Sequence, residues 1–377
     1  MSHRAETAPE SLSPRANPEL IGQQPAEAEL LAAFRSERMA HAWLLRGPRG
    51  IGKATLAYRF ARWILAGGGR SAAGSGSGAG GLFGDSLPTA PAADSLYLEP
   101  TSPVFRRIAA RGHADLMTVE VGADDKGKRR SEIVADDVRE VSRFMSMTAA
   151  EGGWRIVIVD SADEMNRNAA NALLKVLEEP PRRALLMLVC HSAGRLLPTI
   201  RSRCRGLNLQ PLKGTDVDAL LAHHLPALSD AERYVLVRLA EGSIGRALDL
   251  AGEGGLEVHG ELMGLVGELP GLDVGRLHRF AEKMSRQDGE TAFRAASHLL
   301  LWWLSQLTTT AAGRVPAGQE AAEAALFARI AGPGNLDRWL EVWEKVNHLL
   351  ARTDAVNLDR RQVMLTAMLA VRDAARP

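Results

Sequence analysis

Apolar and polar residues change rhythm along this chain. HAWLL (41–45), LMTVEV (116–121), WRIVIVD (154–160) and ALLMLVC (184–190) are short, nearly solid apolar runs. Their length and composition predict buried strands. Other stretches repeat their apolar residues every three or four positions, which predicts amphipathic helices. One runs from Ala26 to Phe34. A second follows a glycine-rich turn, with Tyr58, Ala61, Ile64 and Leu65 on its inner face. VADDVREVSRFMSM (134–147) aligns Val134, Val138, Val141 and Met145. NAANALLKVLEEPP (168–181) is stopped by two prolines. Strand and helix alternating from about 40 to 210 point to an α/β domain with a mainly parallel sheet.

After Pro211 the pattern turns wholly helical. DVDALLAHHL (216–225), DAERYVLVRLA (230–240) and SIGRALDLA (243–251) predict three short helices. Longer ones follow beyond Gly255, in FRAASHLLLWWLSQL (293–307), LDRWLEVWEKVNHLL (336–350) and RRQVMLTAMLAVRDA (360–374). Trp339, Trp343, Val346 and Leu350 share a stripe, which reads as core. AGGGRSAAGSGSGAGG (66–81) has linker composition and interrupts the first domain.

Composition changes little in this picture. The 377 residues are enough for two or three domains. The 46 Lys and Arg balance 45 Asp and Glu, so composition announces no nucleic-acid-binding surface. The basic run Lys126–Arg130 reads first as a solvated loop, with DNA phosphates as the alternative. Cys190 and Cys204 form no paired motif, and His41, His113, His191, His223 and His224 lack ligand spacing, so no metal is assigned. The N-terminus has no apolar core of a signal peptide, and the longest apolar run, Leu299 to Leu304, is too short to span a bilayer. The expectation is a soluble cytoplasmic protein with no membrane partner.

The chemistry begins at GPRGIGKATLA (47–57). It nearly completes G-x-x-x-x-G-K-[ST], in which glycine backbone amides wrap phosphates, the lysine reaches the β/γ-phosphates and the hydroxyl binds Mg²⁺. Gly47, Gly50, Gly52, Lys53, Ala54, Thr55 and Asp160 are the candidate nucleotide-site residues. Ala54 stands where the hydroxyl belongs. Thr55 does not replace it, because one helical step turns a side chain by about 100°. Asp160, ending a strand, is the natural partner for Mg²⁺. Ser161 follows it where a motor enzyme carries glutamate, and a serine hydroxyl is a poor base. Asp163 and Glu164 are expected to cap the next helix.

MNRNAANALLKVLEEPP, a buried strand and then LPTIRSRC resemble the ATPase-fold subunits of DNA polymerase clamp loaders, and HAWLLRGPRGIGKATLA and HADLMTVE are also similar. The likeness covers roughly residues 20–250. Within that clamp-loader AAA+ family of bacterial DNA polymerase III, the losses at Ala54 and Ser161 resemble the delta-prime type. The resemblance implies an AAA+ (P-loop NTPase-like) parallel-sheet domain, then a small three-helix lid and an all-α C-terminal collar. The boundaries implied are a disordered lead at 1–18, the nucleotide-binding fold at 19–212 with a flexible insert at 66–100, the lid at 213–255 and the oligomerisation domain at 256–377. It implies weak ATP or ADP binding without efficient hydrolysis. Many relatives carry a four-cysteine zinc module after the first helix; this chain lacks those cysteines, so no zinc is expected.

The same resemblance makes Arg203, in Arg-Ser-Arg-Cys, an arginine finger acting in trans on a neighbouring subunit's ATP, a role suited to a planar, permanently charged guanidinium. Ser192 and Arg246 stand near two further phosphate-sensing positions, Arg246 one residue out of register. The implied partners are gamma/tau and delta subunits, with the sliding clamp and primed DNA reached through the complex. The implied chain has no polymerase site and negligible ATPase activity. The alternatives are an active gamma/tau-type ATPase and a free-standing AAA+ remodeller or helicase loader.

Overall fold

In a computed structural model of the chain, the four apolar runs lie side by side in one parallel sheet. The structure describes residues 13–36, 38–68, 95–122, 130, 132–151, 153–286, 289–314, 321–332 and 335–376. Most of the Gly/Ser-rich insert and most of the basic run 126–130 lie outside them. The described chain divides into two compact units: one reaches Asp216 and adds Gly242–Gly245, and the other takes Val217–Glu241 and everything from Arg246 onward.

In the first unit, β1 (Ala42–Arg46), β2 (Leu116–Val119), β3 (Arg155–Val159), β4 (Ala184–Cys190) and β5 (Arg205–Asn208) form a sheet of order β2-β3-β4-β1-β5. All four pairings are parallel. Successive residues point to opposite faces, and both faces are covered. Ile156 and Ile158 of β3 pack with α1 (Gln24–Arg35) and α2 (Lys53–Leu65), through Leu30, Leu56, Phe60 and Trp63. Val157 and Val159 pack with α4 (Ala135–Ser146) and α5 (Arg167–Glu178), through Val138, Val141 and Leu173. This double burial explains why β1, β3 and β4 read as solid apolar runs.

Three elements of this unit escaped the sequence pattern. β5 exposes three of its four residues and buries only Leu207, so it shows no apolar run. α3 (Pro103–Ala109) and α6 (Pro198–Arg201) are each about two turns or less, too short for a helical period to emerge. Residues 13–18, placed by the sequence in a structureless lead, are held against α2. There Arg62 donates to the carbonyls of Arg15 and Asn17 at 3.1 and 2.7 Å, and Arg59 donates to that of Pro18. Of the insert expected at 66–100, Leu96 is fully buried and its amide donates to Glu27 of α1.

The second unit is helical, with no strand among its described residues. It takes most of α7 (Gly214–His224), α8 (Asp230–Ala240) and most of α9 (Ile244–Gly252). α10 (Gly255–Gly267), α11 (Val274–Lys283), α12 (Gly289–Ala311), α13 (Ala321–Ala331), α14 (Leu336–Ala355) and α15 (Arg360–Ala374) complete it. α12 packs against α14, and α14 against α15. Of the expected stripe on α14, Trp339 and Val346 are buried, while Trp343 and Leu350 are only half-buried. The Trp339 indole donates to the Ala331 carbonyl at 3.0 Å, so the buried ring keeps its polar edge satisfied. The described chain is thus a parallel-sheet α/β domain followed by an all-α region.

Candidate functional site

The C-terminal ends of β1, β3 and β4 bring the first group of candidates together, at the edge where parallel sheets bind ligands. The loop leaving β1 carries Gly47, Gly50 and Gly52 at φ 147°, 76° and 96°. At all three the left-handed half of conformational space favours glycine. Gly50 also lies where a Cβ would come within 2.4 Å of Ser243 Oγ.

Surrounding groups pin the loop's carbonyls. The buried Gln23 side chain donates to Ile51 O at 3.0 Å and to Gln210 O at 2.8 Å. Ser243 Oγ donates to Arg49 O at 2.8 Å, and the Gly245 amide donates to Gly50 O at 3.0 Å. Gly245 is itself constrained, because a Cβ there would lie 2.8 Å from Gly50 Cα.

Lys53 opens α2 and is 2% exposed. Its ammonium donates back to Gly47 O at 2.7 Å and to Pro48 O. Burial lowers its pKa to about 8, against the pull of Asp160 and Asp163. Burial, then the nearby charge of Glu120, raises Asp160. The loop therefore keeps the backbone form of a phosphate cradle, with Lys53 beside it. Ala54 supplies no hydroxyl for a cation, and Thr55 is buried. The phosphate side of ATP or ADP fits these residues; the magnesium side lacks its ligand at 54. Among the described residues no cluster of three His, Cys, Asp or Glu side chains is placed to hold a metal ion.

Asp163 corrects an expectation. It does not cap α5; Asn166 does, accepting from the Ala169 amide at 2.9 Å. The Asp163 carboxylate instead accepts the backbone amides of His191 and Ser192 at 2.9 and 3.0 Å, joining the end of β4 to the turn after β3. Ser161, at φ 59°, lies 3.1 Å through its hydroxyl from His191 Nε2. The sequence named His191 without relating it to Ser161; the signal for that was its place directly after a strand adjoining β3. Burial, then the charge of Lys53, presses His191 down to about 4. An imidazole so weakly basic is a poor acceptor for a water proton at neutral pH.

Arg203 stands elsewhere, in the turn between α6 and β5. Its Nη1 donates to Thr199 O at 3.1 Å, and its Nη2 lies 2.8 Å from Glu178 Oε1. The side chain stays 37% exposed. Arg246, in the helical unit, pairs with Glu241 at 2.9 Å.

The fold and loop define a parallel-sheet α/β domain with a phosphate-loop-like turn, carrying Ala54 after Lys53 and Ser161 after Asp160. A family model described as DNA polymerase III, delta subunit, matches residues 92–213. The DNA polymerase III subunit delta' of Pseudomonas aeruginosa is 36% identical over 216 residues, 57% of each chain. That of Escherichia coli K12 is 32% identical over 227 residues, 60% of this chain and 59% of that one. The gamma/tau subunit of Mycobacterium bovis is 26% identical over 289 residues, 75% of this chain and 45% of that one. The chain thus spans a little over half the length of the delta' relatives named. Over these spans the chain is similar to delta' and gamma/tau subunits of DNA polymerase III.

Proposed function

We propose that this chain is the delta-prime-type subunit of a DNA polymerase III clamp loader, giving Arg203 to ATP held by a neighbouring gamma/tau-type subunit. The observation that carries this reading is the contrast between a loop with no hydroxyl at 54 and an arginine left half-exposed before β5. Helices 213–255 serve as a lid, and those from 256 onward form the collar that joins gamma/tau and delta subunits. The loop holds ATP or ADP weakly, through its backbone and Lys53, and hydrolyses it negligibly. The residues of this chain call for no zinc. The assembled ring, in the cytoplasm, opens the sliding clamp and loads it onto primed DNA.

At the neighbour's site Arg203 would meet negative charge shifting onto phosphate oxygens. A fixed guanidinium there stabilises the transition state more than the ground state. Nothing in this chain's own loop matches that: Ala54 cannot bind a cation, and Ser161 faces a weakly basic histidine.

Hydrolysis by the purified chain tests the reading. No Mg²⁺-dependent turnover is expected from the isolated protein, and trace turnover is expected after Ala54→Thr with Ser161→Glu. Robust turnover by the unaltered chain would favour a gamma/tau-type motor and overturn the proposal.

A further inference from the structure

Glu178 is the last residue of α5 and the first acid of Glu-Glu-Pro-Pro. Pro180 and Pro181 prevent the helix from continuing, so its end is fixed in the chain. α5 packs against α6, the short helix just before Arg203. The guanidinium is thus held from two sides, by the Thr199 carbonyl of α6 and the Glu178 carboxylate of α5. Both anchors sit on regular elements packed against the sheet.

A guanidinium has five N–H donors in a rigid fork. These two contacts leave donors unused, and the side chain remains 37% exposed. An arginine left to itself spreads over many rotamers, and fixing it opposes binding. Two anchors on rigid elements impose that order before a partner arrives.

We infer that Glu178 is the positioning residue for Arg203, holding its guanidinium so that the unused donors face a phosphate oxygen of the neighbouring subunit. This rests on the in-trans role proposed for Arg203. Glu178 touches no nucleotide and acts only through the arginine. Both partners are half-exposed, so the pair is weak and its influence on rate is a few-fold.

The test uses the reconstituted clamp-loader complex with Glu178→Ala, Glu178→Gln, Arg203→Ala and the double variant Glu178→Ala, Arg203→Ala. Clamp- and DNA-stimulated ATPase is resolved into kcat and KM, with assembly followed by gel filtration. Glu178→Ala is expected to lower kcat about two- to fivefold, with KM and assembly unchanged. Glu178→Gln keeps an acceptor and should recover part of the loss. In the Arg203→Ala background, removing Glu178 should change nothing further.

Loss of rate from Glu178→Ala in both backgrounds would mean that Glu178 acts through the fold and would overturn the inference. An unchanged or faster rate from Glu178→Ala, beside a slow Arg203→Ala complex, would overturn it while leaving the finger in place. No effect of Arg203→Ala would refute the in-trans role itself, and this inference with it.

Discussion

The loop after β1 and the turn before β5 both carry a cation associated with phosphate chemistry, in opposite states. Lys53 is buried, its ammonium spent on two carbonyls of its own loop and its pKa lowered to about 8. Arg203 is half-exposed and held through its two terminal nitrogens by Thr199 and Glu178, with N–H donors left over. A site that hydrolyses its own nucleotide needs a hydroxyl at 54 and a base after Asp160, where this chain has Ala54 and Ser161. On the proposed reading, the difference teaches that a domain can retain the frame of a nucleotide site while its working charge lies at another edge.

The largest effect should come from the exposed side of this comparison. Arginine fingers are worth about 10³–10⁵ in rate at the site they serve. Arg203→Ala should cost the complex most of the turnover at that one site, with ring assembly intact. Arg203→Lys should restore little, because an ammonium lacks the planar fork. Stimulated ATPase and clamp loading measured on the same preparations check both. Full rescue by lysine would show that a point charge suffices.

The buried side should answer in stability. Gly50→Ala places a Cβ 2.4 Å from Ser243 Oγ, at φ 76°. Strain and overlap together should cost about 2–4 kcal/mol. Urea unfolding of the isolated chain would measure this. A cost below about 0.5 kcal/mol would mean that the loop is not braced by the 242–245 segment.

Lys53 gives a smaller, pH-dependent effect. Its pKa is about 8 in the folded chain and about 10.5 unfolded. Between those values the unfolded state binds the extra proton, so stability rises with pH through that window. Below about pH 8 both states are protonated and the penalty is constant. Lys53→Met removes the group. Relative to that variant, the wild-type chain should gain on the order of 1–3 kcal/mol from pH 8 to pH 10.5. Parallel pH profiles of the two proteins would reveal a buried ammonium wrongly placed.

The sheet was legible because β1, β3 and β4 are buried on both faces and write themselves as apolar runs, and the edge strand β2 keeps its residues at least half-buried. β5 was not, because three of its four residues are exposed. The loop was legible from its glycines and lysine, and its losses from Ala54 and Ser161. What the motif could not reveal was where the lysine points, since its partners are main-chain carbonyls that carry no sequence signal. The same holds for Asp163, which bonds two backbone amides from a distant strand, and for Gly245, whose role depends on its nearness to Gly50. Glu178 stood in a quoted motif, but only the packing of α5 on α6 brings it to Arg203.

One side-by-side measurement tests the central contrast: the clamp- and DNA-stimulated ATPase rate of two reconstituted complexes, one carrying Lys53→Met and the other Arg203→Ala in this chain. The account predicts a near-wild-type rate for the first and, for the second, loss of most of the turnover at the one site the finger serves, with both rings assembled. The opposite pattern, a complex slowed by Lys53→Met and indifferent to Arg203→Ala, would contradict it and make this chain's own loop the working site.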